Sequence, residues 1–151
     1  MLKALRKLFR TGGWAPIAVL ALHLFLSRVL HAYRFWHDAD ILEHFAGGMA
    51  IAFFVSTLFR ALPRKDAQRS RTVLLELVLM FSLTATAAVF WEFAEFIFDR
   101  MFGTNVQVSL ANTMQDQAMG IMGALFLIAV RARQLGARVA DVRELAGSLI
   151  D

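Results

Sequence analysis

Four apolar stretches divide this chain, separated by short polar segments. The first runs from about Trp14 to Tyr33, the second from Ile41 to Leu62 and the third from Val73 to Phe98. The fourth has an unbroken apolar core only from Ala118 to Val130, and lengthens if its helix begins near Asn112 or Thr113. A helix needs about 20 residues to cross a bilayer core. The first three stretches meet that length directly, and the fourth meets it with a polar start. None alternates with the period of two that a barrel strand requires. The pattern predicts an all-α protein: a four-span transmembrane helix bundle forming a single integral membrane domain over residues 1–151. The expected spans are residues 14–33, 41–62, 73–98 and 112–133.

Both ends are amphipathic. Leu2, Leu5, Leu8 and Phe9 oppose four cations, the pattern of an interfacial helix on the inner leaflet. After Gly136, Val139, Val142, Leu145 and Leu149 recur at helical intervals, which predicts a membrane-surface helix. The basic start and the apolar run Ala15–Leu26 also have the outline of a signal peptide. No A-x-A site follows them, so the segment is expected to stay as a span.

Composition agrees with a membrane protein. Hydrophobic residues make up 58% of the chain, with 14 Phe and only two Pro. Mean hydropathy is +0.56. Without cysteine there is no disulfide framework, thiolate nucleophile or Cys-type zinc site. The net charge of +4 would draw attention to nucleic acid, but the distribution of charge explains it otherwise. Thirteen of the 16 basic residues fall in three segments: Lys3–Arg10, Arg60–Arg71 and Arg131–Arg143. These alternate with two loops that hold only Arg34 and Arg100. The positive-inside rule then places both termini in the cytoplasm. No nucleic-acid partner is expected.

The acidic residues lean to the other side. Seven of the 12 lie in or near the outer half: Asp38, Asp40, Glu43, Glu92, Glu95, Asp99 and Asp116. Carboxylates contribute little to orientation, so topology does not account for this bias. At 1.5 Å of rise per residue, Arg28, His44, Glu92, Glu95 and Asp116 all lie roughly 4–9 Å below the outer boundary. Each span contributes at least one of them. Glu92, Glu95 and Asp99 follow i, i+3, i+7 and share a helix face. Small residues sit beneath polar ones, as in His44, Gly48, Ala52 and in Asp116, Gly120, Gly123. Such stripes let membrane helices approach closely. The sequence therefore predicts a polar layer turned into a tight bundle.

Ionisable groups at that depth usually have a function. An imidazole with several carboxylates suits a divalent metal cation such as Zn, Mn or Fe. The candidate ligands are His44, Glu92, Glu95 and Asp116, supported by Arg28, Asp40 and Asp99. Other roles compete. Arg28 and Glu92 at matched depth form a natural ion pair, Thr113 and Asp116 fit a T-x-x-D capping box, and His23 on an apolar face fits a packed helix residue. The leading expectation is an outward-facing site for a divalent cation or a lipid head group. One alternative is a structural or regulatory subunit whose buried charges only lock the helices. Another is a metal-assisted membrane hydrolase of a lipid-linked substrate. The bilayer is the expected partner, and homo-oligomerisation stays open.

Several motifs together resemble the YjdF-like family of small bacterial inner-membrane proteins, a family of unknown function, and more distantly the VanZ-like proteins. They are Asp40, His44 and Gly48; Trp91-Glu92-x-x-Glu95; Asp99 with Gly103; and a final segment reading Asn112-Thr113-Met114-Gln115-Asp116, then Gly120 and Gly123. Asn112 stands where that family has Asp, and Gly120 where it usually has Asn. The resemblance covers residues 38–123. It implies a multi-pass membrane protein and brings no activity with it. The VanZ-like side implies a cell-envelope lipid or glycan setting.

Overall fold

A computed structural model describes residues 2–30, 36, 38–61 and 69–148 of the chain. The side chains of Arg28 and of residues 69–72 and 136–148 lie outside that description. All regular structure among the described residues is helical. Helix α1 (Leu2–Leu8) leads through a π-helical turn, Phe9–Gly13, into α2 (Trp14–Leu24). A second π-helical turn, Phe25–Val29, closes that segment. Three long helices follow: α3 (Asp38–Arg60), α4 (Arg69–Phe102) and α5 (Leu110–Ser148). Among the described residues, four segments are long and apolar enough to cross a membrane: Leu2–Ser27, Asp38–Arg60, Val73–Phe102 and Leu110–Leu135. The four-span all-α reading therefore holds.

Each boundary has a local cause. Gly12 takes φ 115°, which breaks the axis between α1 and α2. A side chain there would be strained by that φ and would run into Thr57 of α3. Helix α3 begins at Asp38, three residues before the expected Ile41, with Asp38 and Asp40 in its first turn. Carboxylates are favourable at that positive end of the helix dipole. Helix α4 runs four residues past the expected Phe98. It stops at Gly103, whose φ of 64° and N–H bond to the Asp99 carbonyl (2.9 Å) form a left-handed cap. Helix α5 starts at Leu110, and Ser109 caps it by accepting the Asn112 N–H at 3.1 Å. That corrects the Thr113–Asp116 capping box: Asp116 lies inside the helix, not at its start.

Helix α5 also continues through Gly136 without a break. The expected separate surface helix is thus an extension of the fourth span. A single Gly costs a helix only about 1 kcal/mol, and no Pro or left-handed cap follows to stop it. The faces of Val139, Val142, Leu145 and Leu149 lie outside the described side chains.

Helices α3, α4 and α5 pack against one another, with α3 and α5 in the closest contact. The reason is glycine. A Cβ on Gly48 would lie inside the Gly120 carbonyl, 3.0 Å from Gly120 Cα. A Cβ on Gly123 would overlap the Phe45 carbonyl and sit 3.0 Å from the Met49 nitrogen. The small-residue stripes read from the sequence are thus the α3–α5 seam. Between them lies a small dry core of Ala52, Val55, Met80 and Ala124. Most large apolar side chains face outward instead, Leu74, Phe81, Phe90, Phe93 and Ile97 on α4 among them. That inversion suits a surface solvated by lipid. Helix α2 rests mainly on α3, leaving a groove towards α4.

Candidate functional site

Helix α4 builds the site through an unusual stripe. Its buried residues are Glu76, Met80, Thr84 and Glu92, spaced by four and eight, so they share one face. Three of the four are polar, while the opposite faces of α4 are apolar. The helix thus presents grease to lipid and polar atoms to the bundle.

At the loop end this stripe meets α3 and α5. Asp40, His44 and Asp116 offer ligand atoms that lie within 4.8 Å of one another. His44 Nε2 is 3.6 Å from Asp40 Oδ1, and His44 Nδ1 is 4.0 Å from Glu92 Oε1. Asp116 is 2% exposed and Glu92 3% exposed. One oxygen of each is held: Asn112 Nδ2 donates to Asp116 Oδ2 at 2.8 Å, and Gln107 Nε2 donates to Glu92 Oε2 at 3.0 Å. The other oxygens, Asp116 Oδ1 and Glu92 Oε1, are buried and receive no hydrogen bond among the described residues. Buried carboxylate oxygens without donors are unfavourable unless a positive charge faces them.

The candidates read from the sequence therefore separate into groups. His44 and Asp116 come together with Asp40, and Glu92 stands beside them. Glu95 does not join the ligand-distance group; it accepts Trp91 Nε1–H at 2.7 Å, one turn back on its own helix. Asp99 organises the α4–α5 loop by accepting Thr104 Oγ1–H at 2.6 Å and the N–H groups of Val106 and Gln107 at 2.8 and 2.9 Å. That loop in turn delivers Gln107 to Glu92. The Arg28 side chain lies outside the described residues, so the Arg28–Glu92 pair does too.

Residues 8–137 match the family described as Predicted membrane protein (DUF2238). The chain belongs to this DUF2238 family. The narrower YjdF-like and VanZ-like names are not part of that match. No curated protein matches the chain, and no solved structure does.

This DUF2238 chain also holds two polar contacts that sequence reasoning missed. His23 Nδ1 lies 2.8 Å from Glu43 Oε2, and its ring meets Trp91 edge-on at 5.5 Å. His23 is thus a paired residue between α2 and α3, not only a packed one. The second contact lies towards the opposite end. Arg131 Nε donates to Glu76 Oε1 at 2.8 Å and Nη2 to Oε2 at 3.5 Å, while Ser56 Oγ–H adds a bond to Oε1 at 2.8 Å. From the sequence Arg131 reads only as a topology charge. A signal was available: Glu76 is an acid inside an apolar run, at the same end of the bundle as Arg131.

Proposed function

We propose that this membrane protein lies in a bacterial inner membrane with both termini in the cytoplasm, and that its polar layer binds a divalent cation. Asp40, His44 and Asp116 are the ligands, and Glu92 lies alongside as a fourth donor or as a base on bound water. The observation that carries this reading is the pair of buried oxygens on Glu92 and Asp116 that receive no hydrogen bond among the described residues, with Asp116 at ligand distance from His44 and Asp40. One imidazole with carboxylates suits Zn or Mn. The alternating basic segments support the orientation, which puts the layer in the outer half. The resemblance to YjdF-like inner-membrane proteins supports the same setting.

The test is metal titration of the purified chain in detergent. Saturating Mn²⁺ or Zn²⁺ should raise Tm, by mass action on the native state, and release protons. Asp116→Asn and His44→Gln should each remove the shift while the protein elutes as the parent does. Unchanged Tm together with no metal retained after gel filtration would sink the proposal. A second reading is that the buried charges only lock the helices. The saturated Glu76–Arg131–Ser56 cluster favours it at the other end of the bundle, and there we adopt it.

A further inference from the structure

The groove between α2 and α4 is a cavity of about 520 Å³. That size lies within the ~300–1,000 Å³ usual for ligand pockets. Its floor is α3 at Gly47 and Gly48, and the missing side chain of Gly47 leaves the space beside Val19. Val19 and Leu20 form one wall and Ala87 and Ala88 the other. From Pro16 to His23 the α2 wall spans about 10 Å of helix. Thr84 is 1% exposed, lines the groove, and its Oγ1 makes no hydrogen bond among the described residues. The groove ends at His23, Glu43 and Trp91. There it adjoins a second cavity of about 750 Å³ at the loop end, which shares Leu20, His23, Trp91 and Ala94. The long apolar slot thus opens into a polar vestibule, the outline of an amphiphile.

The charge of the lining selects among amphiphiles. The two cavities together carry Asp38, Asp40, Glu43 and Glu95, with two imidazoles and no Lys or Arg among the described lining residues. Trp91 borders both cavities, and its N–H bond to Glu95 fixes the indole. Carboxylates beside an aromatic face attract an ammonium group and repel an anion.

We infer that this groove holds one hydrocarbon chain of a membrane lipid with an ammonium head, and that the head lies at the cavity junction beside Glu43, Trp91 and Glu95. The chain replaces lipid contacts that α2 and α4 do not make with each other. Asp40 and His44 border these cavities and belong to the proposed cation site, but the residues placed beside the head, Glu43, Trp91 and Glu95, do not.

The experiment is native mass spectrometry of the full chain in detergent. Phosphatidylethanolamine, phosphatidylglycerol and diacylglycerol with identical chains are the probes. One phosphatidylethanolamine should be retained about tenfold over phosphatidylglycerol, equivalent to about 1.4 kcal/mol. It should also exceed diacylglycerol. Glu43→Gln with Glu95→Gln should erase the preference. Gly47→Leu should fill the groove and lower retention of all three, since a Cβ there meets only Val19, at 3.9 Å. If that variant does not fold, Ala87→Phe fills the groove from the facing wall. Equal retention of the three lipids, or undiminished retention in a folded groove-filled variant, overturns the inference. Asp116→Asn, which removes the proposed metal ligand, should leave lipid retention unchanged. Gly47→Leu should leave the Mn²⁺ shift in place, so failure of one proposal is distinguishable from failure of the other.

Discussion

Replacing Glu76 by Gln is expected to destabilise this protein more than any conservative change on the surface of α4. Glu76 is wholly buried and Arg131 is 8% exposed. The guanidinium holds both carboxylate oxygens, at 2.8 and 3.5 Å, and Ser56 fills a further acceptor position. The two charges therefore neutralise each other in a place that water barely reaches. Removing one leaves the other buried without compensation, which costs about 3–5 kcal/mol in comparable pairs. Arg131→Met should cost a similar amount, because Glu76 would keep its charge and lose its counter-ion. The double replacement, Glu76→Gln with Arg131→Met, deletes both charges and should cost clearly less than the two single losses added together. A double-mutant cycle measured by denaturant unfolding in detergent, with helical circular dichroism as the signal, reads the coupling directly. Additive losses would refute the reasoning, because charges that do not depend on each other do not couple. A loss under about 0.5 kcal/mol for Arg131→Met would also refute it, since that is the size of an ordinary surface substitution. It would mean that the guanidinium reaches water or head groups.

Four further outcomes follow. Gly48→Ala should disrupt the α3–α5 seam, because its Cβ meets Gly120 backbone that cannot turn away, whereas Gly47→Ala on the adjacent face should melt like the parent; thermal unfolding compares the two. Gly103→Ala, in open space at φ 64°, should cost only the left-handed backbone strain of roughly 1–2 kcal/mol and leave the fold intact by circular dichroism. Metal affinity should fall as pH falls, because protons compete for His44 and the carboxylates, and calorimetry at several pH values reads this directly; rising affinity on acidification would contradict the ligand set. Reporters placed after Asp151 and within residues 63–71 should report cytoplasm, and one between Gly103 and Leu110 the opposite side; agreement of all three on one side would overturn the topology.

The sequence by itself determined that this is a four-helix membrane protein. Hydrophobicity over 20 residues is a local property, and so are the charge clusters from which topology is expected. The small-residue stripes also follow from local spacing, so the glycines of the α3–α5 seam were legible before any contact was known. The common level of His44, Glu92 and Asp116 along the bundle could also be read, because helical rise converts sequence position into distance. Direction around the axis was harder. Spacing put Glu92, Glu95 and Asp99 on one face, yet Glu92 turns into the bundle, Glu95 pairs with Trp91, and Asp99 organises the loop. A difference of one turn near a helix end decides between core and loop, and only neighbouring helices fix it. Asp40 and His44 lie one turn apart on α3, but Asp116 joins them because α3 and α5 touch at glycine, a contact between residues more than 70 positions apart. Glu76 on α4 and Arg131 on α5, 55 positions apart, likewise meet only through the packing of their helices. The tertiary structure also decided where helices do not meet. The groove beside α2 exists because that helix rests on α3 and stands off from α4, and no run of residues in either helix encodes the gap alone.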